Sequence, residues 1–350
     1  MISYKTNGEN NCKMTITRMQ AVITTNNPAQ PLIEASVPTT PLGANDILVK
    51  VAAISINPVD QKQRLIATQN NATKILGFDG VGEVIEIGSA VTKFKVHDRV
   101  YYAGELGRNG SYAEYQVVRE DLVAIAPANL DDAEAAAIPL TFLTAYELLF
   151  DQFGLKPEAQ SQRGQTILII NGAGGVGSAM IQLSQWLGMD VIATASRPET
   201  TAWVTKLGAH HVVNHRHDYV SELKQLGYHS IPYIAILSAT NEHFAKAAEL
   251  VAPFGHVGMI VEPTAPLSIG DPLKAKAASL HWEFMFAKAL NNYNVASQGD
   301  ALAFATDLIE NKHFNTTLTE TIEGFSASNI YAAQEKAGSG KIIGKLAIKY

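Results

Sequence analysis

The glycine-rich stretch at residues 166–177, TILIINGAGGVG, constrains the possible fold of this chain more than any other segment. Its first half is apolar and β-branched, as in a buried strand, and the segment after the glycines has apolar residues at helical spacing. The turn between them carries the pattern Gly-x-Gly-x-x-Gly at Gly172, Gly174 and Gly177. Because these glycines join a strand to a helix, the motif predicts a site for the pyrophosphate of a dinucleotide at the helix start.

Each residue of this turn has an expected part in binding. Gly172 allows the tight turn, Gly174 lets the pyrophosphate approach the backbone, and Gly177 lets the helix pack closely on the strand. Gly175 and Val176 begin the helix, whose free N–H groups favour an anion. An ordinary strand–helix turn that binds nothing is the alternative.

Composition places the chain among globular proteins and argues against several kinds of partner. Its 350 residues suffice for two domains, and a content of 47% hydrophobic and 17% charged residues is typical of a packed protein. A net charge of −6 offers no positive field to nucleic acid or to anionic lipid. No apolar run approaches the ~18 residues that a membrane-spanning helix needs.

The N-terminal segment has a different character from the rest. Residues 1–18 are polar and lack the apolar core of a signal peptide, so they are predicted to form a disordered leader. The only cysteine, Cys12, lies in this segment. A single cysteine cannot form an internal disulfide, which fits a reducing cytoplasm.

Two patterns of secondary structure follow one another along the chain. Residues 19–135 contain short strand-like segments separated by Pro, Gly and Asn, with no helix long enough to connect parallel strands, and predict a β-rich domain. Residues 131–152 predict a long helix that breaks near Ile138, because Pro139 follows. From residue 166 strands alternate with helices, which predicts an α/β fold with a doubly wound parallel sheet. The strands are expected at 166–171, 190–195, 211–214, 231–238, 255–261 and 280–286.

Three further segments, read together with the glycine turn, resemble a known superfamily. They are SINPVD at residues 55–60, GFDGVGEV at 77–84 and GSYAEY at 110–115. The chain resembles the medium-chain dehydrogenase/reductases, and within them the zinc-type alcohol dehydrogenase-like and quinone oxidoreductase branch. The resemblance implies an oxidoreductase that joins a GroES-like β-rich catalytic domain to a Rossmann domain.

The resemblance also implies domain boundaries and an assembly. Residues 19–135 and 296–350 would form the discontinuous GroES-like catalytic domain, and residues 136–295 the Rossmann domain that binds NADP. A homodimer that acts on a small molecule, without nucleic acid or membrane, is expected.

Zinc-dependent members of the family hold their catalytic metal with residue types that this chain lacks. They place a cysteine where this chain has Asn57, a His-Glu pair where it has Phe78 and Asp79, and usually a cysteine near Leu140. Zinc is bound by thiolate, imidazole or carboxylate groups in a tetrahedron, and these residues do not supply such a set. The structural zinc lobe needs four cysteines. We therefore expect no zinc.

The end of the second predicted strand of the parallel sheet bears on the choice of cofactor. An NAD site places a carboxylate there for the ribose 2′-hydroxyl, whereas this strand ends in Ala195, Ser196 and Arg197. A serine hydroxyl and a guanidinium match a 2′-phosphate, so the cofactor is predicted to be NADPH. The resemblance adds His215 beside the adenosine phosphate and Thr144 near the nicotinamide.

Two other strand ends are expected to face the nicotinamide half of the cofactor. Ser238 would hydrogen-bond the ribose and Ile260 would pack on the ring, because ligands of doubly wound folds lie at the carboxyl ends of the strands. Both are also ordinary strand-end residues.

The reaction follows from the missing metal. A metal ion would stabilise the alkoxide that forms when an ordinary carbonyl accepts hydride. Without one, the acceptor must delocalise the charge, as quinones and α,β-unsaturated carbonyls do. The resemblance places Asn57 beside the nicotinamide, although Asn57 and Asp60 also suit a turn. Tyr102 is a second candidate donor to the acceptor's oxygen. The cluster at residues 281–286 is interpreted as an edge strand that pairs with its twin in a dimer, as a lid or wall of the substrate pocket, or as both, with Glu283 as the polar candidate inside the pocket.

The sequence thus predicts a zinc-independent, NADPH-dependent reductase of quinones or α,β-unsaturated carbonyls. Two alternatives stay open. One is a zinc-type alcohol dehydrogenase with substituted ligands, and the other is a non-catalytic NADPH-binding sensor, since a fold does not determine function.

Overall fold

The structure is a computed structural model that describes residues 2–7 and 11–350. Its strands are β1 Ile2–Asn7, β2 Asn11–Ile16, β3 Arg18–Thr24, β4 Leu32–Pro38, β5 Asp46–Ile56, β6 Asp79–Ile87, β7 Arg99–Ala103, β8 Tyr115–Arg119, β9 Val123–Ile125, β10 Thr166–Ile170, β11 Asp190–Thr194, β12 His211–Val213, β13 Ile231–Ile236, β14 Val251–Met259, β15 Ser279–Trp282, β16 Leu318–Glu323 and β17 Lys345–Lys349. Its α-helices are α1 Pro58–Gln69, α2 Asp132–Ala136, α3 Pro139–Tyr146, α4 Gly175–Trp186, α5 Pro198–Lys206, α6 Tyr219–Gln225, α7 Thr240–Leu250, α8 Leu273–Lys276, α9 Ala287–Leu290, α10 Ala296–Glu310 and α11 Ala327–Gly338.

The N-terminal segment differs from the predicted disordered leader. Strands β1 and β2 pair antiparallel in a hairpin, and several of their residues are Ile, Thr or Tyr, which favour strands. Residues 1 and 8–10 of the predicted leader lie outside the described residues.

The β-rich domain is built on a seven-stranded sheet. Its strand order is β16-β17-β5-β6-β7-β9, and β8 pairs with β5. The last two strands of the chain therefore lie beside β5, so the polypeptide returns to its first domain after the parallel sheet. This domain also contains α1, which the sequence interpretation missed. Asn57 at the N-cap and Pro58 at the first helical position are ordinary helix-start signals.

The second domain is the predicted doubly wound sheet. Its six strands are parallel in the order β12-β11-β10-β13-β14-β15, so β10, which leads into the glycine turn, lies in the middle. All the residues of β10 after Thr166 are buried, as expected for a strand covered on both faces. The predicted α/β fold is confirmed.

The segment between the domains is a broken helix. Helix α2 ends at Ala136, α3 begins at Pro139, and a π-helical segment continues over Glu147–Gln152, which confirms the predicted break. By length and composition alone, residues Asp132–Gln152 are apolar enough to cross a membrane. Their apolar window is 89% buried inside the protein, and α3 packs on α4 and α10. It is therefore a core helix that joins the two domains.

The two domains touch directly at the glycine turn. The N–H of Gly344, just before β17, donates to the carbonyl of Ala173 at 2.8 Å, and Gly174 and Gly344 form an isolated parallel bridge. The C-terminal strand of the β-rich domain thus begins against the turn predicted to bind the dinucleotide.

Candidate active site

The glycine turn has the close contacts that its motif predicts, with one change of role. The left-handed residue of the turn is Asn171, with φ of 68°, rather than Gly172. A Cβ on Gly172 would lie 2.9 Å from the Cβ of Ala193 on the neighbouring strand. A Cβ on Gly177 would lie 2.6 Å from the carbonyl oxygens of Asn171 and Gly172, so only glycine lets the helix start this close to the strand. By contrast, the space beside Gly174 is open to 3.6 Å.

The start of α4 lies against α3 and against β17 of the β-rich domain. A Cβ on Gly175 would lie 2.8 Å from Cγ2 of Thr141 on α3 and 2.9 Å from Cδ of Lys345 on β17. Val176 is half-buried and packs on the main apolar core. The first turn of α4 is therefore enclosed by α3 and by the β-rich domain. Its first N–H groups have no partner within the helix, as at any helix N-terminus.

The other strand ends predicted to contact the cofactor lie along the same edge of the sheet. Ser196 follows β11, Ser238 follows β13 and Ile260 follows β14, and all three are half-buried. Because these strands run parallel to β10 in the same sheet, their carboxyl ends and the glycine turn share one edge. This is the position of the ligand crevice in doubly wound folds.

Arg197 is placed at this edge but already has partners. Its Nη2 donates to the carbonyl of Lys341 at 2.9 Å, and its Nε lies 3.2 Å from Oε1 of Glu199. About a third of the side chain is exposed, at 31%. A guanidinium has five N–H groups, so these contacts leave donors for a phosphate.

His215 lies next to the end of β11. Its Nδ1 is 3.0 Å from the hydroxyl of Thr194, and burial, with Arg216 nearby, lowers the pKa of the imidazole below its ordinary value. The sequence interpretation missed the exposed Arg216 and Lys341. No local motif marks either residue as part of a cofactor site, so finding them requires knowing which cations the fold brings near Arg197 and His215.

A buried polar cluster lies at the positions where the family resemblance places the metal ligands of zinc-dependent members. Asp79 is fully buried, and its Oδ2 accepts from Ser55 Oγ at 2.5 Å, Asn57 Nδ2 at 2.8 Å and Lys345 Nζ at 3.3 Å. Its Oδ1 accepts from the backbone N–H of Leu140 at 2.8 Å. Lys345, only 4% exposed, is the cation of this cluster, and the sequence interpretation did not identify it.

Asp60 is the second buried carboxyl of the cluster. It is fully buried on the first turn of α1, where its Oδ2 accepts from the backbone N–H of Asn57 at 2.7 Å. Burial raises the pKa of this carboxyl to about 7, with the charge of Asp79 acting in the same direction. Asp60 thus caps α1 and holds the backbone of Asn57.

The structure does not bring Tyr102 to this cluster. Asp79 pairs with Ala103 across the sheet and Gly80 pairs with Tyr102, so the side chains of Asp79 and Tyr102 lie on opposite faces. The Tyr102 ring lies in an apolar cluster with Ile47, Val84 and other residues of the β-rich domain. Burial raises the pKa of its hydroxyl above the ordinary range. Tyr102 therefore lies one residue along the strand from the position that faces Asp79, and it is not the donor to the acceptor's oxygen that the sequence predicted.

Glu283 lies in a second buried cluster, with Glu147 of the π-helical segment. The two side chains are 4% and 3% exposed. Gln298 donates to Glu147 Oε1 at 2.8 Å, and Lys288 Nζ lies 3.3 Å from the same oxygen. Burial, together with the charge of Glu147, raises the pKa of Glu283 to about 10. Glu283 is therefore a neutral acid at neutral pH, packed between elements rather than beside Asn57.

The segment after Glu283 nevertheless reaches the first cluster. The ring of Phe286 lies 4.5 Å, centroid to centroid, from the ring of Phe78, which precedes Asp79. Thr144, predicted near the nicotinamide, is buried on α3, and its hydroxyl donates to the carbonyl of Leu140 at 2.8 Å. Phe286 thus packs on the residue that precedes Asp79, and α3 contacts Asp79 through the N–H of Leu140.

The residues at the metal position do not fit zinc. The donors there are one carboxamide and one carboxylate, and the carboxylate already accepts four hydrogen bonds. Zinc sites in proteins use three or four thiolate, imidazole or carboxylate ligands. Among the residues that the structure describes, no group of three or more His, Cys, Asp or Glu side chains is placed to hold a metal ion.

Comparison with known families assigns both domains. Residues 43–128 match the family model of the alcohol dehydrogenase GroES-like domain, and residues 175–281 match that of the zinc-binding dehydrogenases. A glycine turn at the edge of a doubly wound sheet, facing a GroES-like domain, therefore defines a two-domain oxidoreductase that uses a nicotinamide cofactor. The chain belongs to the medium-chain dehydrogenase/reductase superfamily, in the branch of the zinc-type alcohol dehydrogenase-like proteins and quinone oxidoreductases.

Individual relatives support this assignment. A zinc-type alcohol dehydrogenase-like protein of Staphylococcus aureus strain MSSA476 is 42% identical over 305 residues, 87% of this chain and 90% of the relative. A putative zinc-dependent alcohol dehydrogenase protein from Rhizobium etli has a similar structure, with a TM-score of 0.88 and 37% identity over 96% of this chain and 99% of its own. The NADPH-dependent alkenal/one oxidoreductase of Arabidopsis thaliana is 34% identical over 201 residues, 55% of this chain and 50% of the relative.

Proposed function

We propose that this protein is a zinc-independent, NADPH-dependent reductase of quinones or α,β-unsaturated carbonyls. The observation that carries the proposal is the buried cluster at the metal position. Asn57 and Asp79 stand there with the Lys345 ammonium, and their hydrogen bonds leave no set of ligands for zinc.

The cofactor preference rests on the strand end after β11. Ser196 and Arg197 offer a hydroxyl and a guanidinium to a 2′-phosphate, and no carboxylate stands there to accept from a ribose hydroxyl. Arg216, which follows His215, and Lys341, whose carbonyl accepts from Arg197, add positive charge near this strand end. The Arabidopsis relative, which is named as NADPH-dependent, supports the same preference.

The nicotinamide cofactor would supply a hydride, and the protein would bind it along the edge of the parallel sheet. The backbone of the glycine turn would hold the pyrophosphate, with Gly174 leaving room for it. Ser238, Ile260 and Thr144 would surround the nicotinamide half. Enclosure by α3 and by the rings of Phe78 and Phe286 would exclude water from the acceptor.

The class of acceptor follows from what the cluster can stabilise. The Asn57 carboxamide donates hydrogen bonds and carries no charge, so it stabilises a developing oxyanion less than a metal ion does. A conjugated acceptor spreads that charge over several atoms and needs less help. Tyr102 and Glu283 are not part of this proposal, because their side chains lie outside the cluster.

Turnover assays test the proposal. The purified protein should oxidise NADPH in the presence of a quinone or an enone, before and after extensive treatment with a chelator, and should be slower with NADH. Ethanol oxidation that disappears on chelation would instead identify a zinc alcohol dehydrogenase. NADPH binding without turnover across a broad quinone and enone panel would indicate a sensor. Either result would refute the proposed reaction.

The same proposal includes a homodimer in the cytoplasm. Strand β15 is the outer strand of the parallel sheet, and large apolar side chains on it and just beyond it are exposed, namely Leu280 at 37%, Trp282 at 48% and Phe284 at 48%. An apolar edge strand is a template for pairing with another chain. A second copy paired along β15 would cover these side chains.

A further inference from the structure

Lys345 is a charged side chain in the interior whose three N–H groups are all in use. Its Nζ donates to the carbonyl of Ile56 at 3.1 Å, to Asn57 Oδ1 at 2.5 Å and to Asp79 Oδ2 at 3.3 Å. A lysine ammonium has three donors and no acceptor, so none is left for a ligand. Any part that Lys345 plays in a reaction must therefore be exerted through these neighbours.

Asn57 has one N–H donor that makes no hydrogen bond within the protein. Its backbone N–H donates to Asp60, and its backbone carbonyl accepts from the N–H of Asp60 at 3.0 Å. Its side-chain Oδ1 accepts from Lys345, and one hydrogen of Nδ2 goes to Asp79. A primary carboxamide has two N–H groups. The second N–H of Nδ2 is the one donor that this residue has left for an acceptor.

The orientation of that carboxamide is determined by the two charges beside it. Rotation by half a turn would place Oδ1 against the Asp79 carboxylate and Nδ2 against the Lys345 ammonium, replacing two attractions by two repulsions. Without the ammonium, only the contact with Asp79 would oppose rotation. Lys345 therefore acts together with Asp79 to determine which edge of the carboxamide is free.

Lys345 also connects this residue to the cofactor turn. It follows Gly344, whose N–H donates to Ala173 in the turn, and its Cδ lies 2.9 Å from where a Cβ on Gly175 would be. The side chain thus runs past the start of α4 and ends on Asn57. One residue links the predicted pyrophosphate site to the predicted donor.

We propose that Lys345 is a positioning residue that takes the place of the metal ion in this cluster. Its ammonium balances the buried Asp79 carboxylate and holds the Asn57 carboxamide so that the free N–H serves the oxygen of the hydride acceptor. This inference rests on the proposed reductase function.

A double-mutant cycle tests the inference in the full-length protein. Lys345→Met and Asn57→Ala should each lower kcat by about 100-fold, the usual loss when one oxyanion donor is removed. The double variant should be no slower than Asn57→Ala alone, because Lys345 acts through Asn57. The primary isotope effect from deuterated NADPH should rise in Lys345→Met, while the Kd for NADPH stays within about 3-fold. Lys349→Met, at a half-buried lysine on the same strand that pairs with Asp131, is the matched control.

A second variant covers the possibility that Lys345→Met leaves Asp79 unpaired and fails to fold. Lys345→Gln keeps a donor for Asn57 Oδ1 and removes the charge, and the same cycle with Asn57→Ala can then be measured. The inference would be overturned, even if the reductase function holds, if the effects of the Lys345 and Asn57 substitutions multiply in the double variant. Wild-type kcat in a folded Lys345→Met variant, which has no donor for Asn57 Oδ1, would also overturn it. A wild-type protein without NADPH turnover would overturn both, and that result is recognised before any variant is made.

Discussion

The buried Glu283 carboxyl makes a prediction about stability that can be worked through in numbers. The side chain is 4% exposed, lies beside the buried Glu147, and has an Oε1 atom without a hydrogen-bond partner. Burial, with the charge of Glu147, raises its pKa from an ordinary 4.5 to about 10. Glu283→Gln should therefore stabilise the protein, because glutamine is a neutral group of the same shape.

The sign and size follow from proton linkage. Between the unfolded pKa of 4.5 and the folded pKa of about 10, the native carboxyl holds a proton that the unfolded one does not. The contribution of Glu283 to stability is fully present below pH 4.5 and is lost as pH rises toward 10. The loss follows the linkage slope of about 1.4 kcal/mol per pH unit, so that about 3 kcal/mol is lost between about pH 6 and about pH 8. Glutamine does not titrate, so the variant lacks this slope.

Urea unfolding of both proteins at several pH values between these limits would measure the effect. The chain has three tryptophans, one of them next to Glu283, and their fluorescence follows the unfolding. The free energy of unfolding of Glu283→Gln relative to wild type should rise steadily with pH, by about 3 kcal/mol in total. Glu249→Gln, at an exposed glutamate paired with Lys224, should show no such trend. An equal difference between variant and wild type at both ends of the range would refute the reasoning.

Three further predictions concern the cofactor turn, the cofactor preference and the assembly. Gly177→Ala places a Cβ 2.6 Å from two backbone oxygens and should cost about 1–3 kcal/mol of stability in thermal unfolding, whereas Gly107→Ala, in open space, should be neutral. Arg197→Ala should weaken NADPH binding by about 10- to 100-fold in titration calorimetry and leave NADH binding unchanged, since charged hydrogen bonds contribute about 1.5–3 kcal/mol. Equal losses for both cofactors would contradict the 2′-phosphate assignment. A similar loss in the exposed control Arg163→Ala would contradict it as well. Trp282→Glu should convert the proposed homodimer to monomers in light scattering, because it places a charge on the apolar edge strand, and a wild-type monomer would remove the basis of that prediction.

Local patterns were enough to predict much of the fold. The run from residue 166 to residue 177 places a strand, a turn and a helix by nearest-neighbour chemistry, and the structure has them at Thr166–Ile170 and from Gly175. Pro139 predicts the break in the interdomain helix because a proline cannot donate within a helix. At Pro58 the same residue type begins α1, a helix that the sequence interpretation missed.

The candidate site was predictable in its cofactor half and only partly in its acceptor half. The glycine turn and the strand ends lie close together because parallel strands end at one edge. Tyr102 was misplaced because a shift of one residue along a strand moves a side chain to the other face. Glu283 was expected in the pocket, whereas its charge environment depends on Glu147, 136 positions earlier in the chain.

The sequence by itself determined the glycine turn, the alternation of strands and helices, and the residue types that make a zinc site unfit, because each is encoded in residue type and short-range spacing. Only the tertiary structure decided that Lys345 lies against Asp79, 266 positions away, and that both hold Asn57. Those contacts arise from antiparallel pairing of β17 with β5 and of β5 with β6, and no local pattern specifies which distant segments pair. The chemistry proposed for this protein therefore depends on a cluster that exists only once the chain has returned to its first domain.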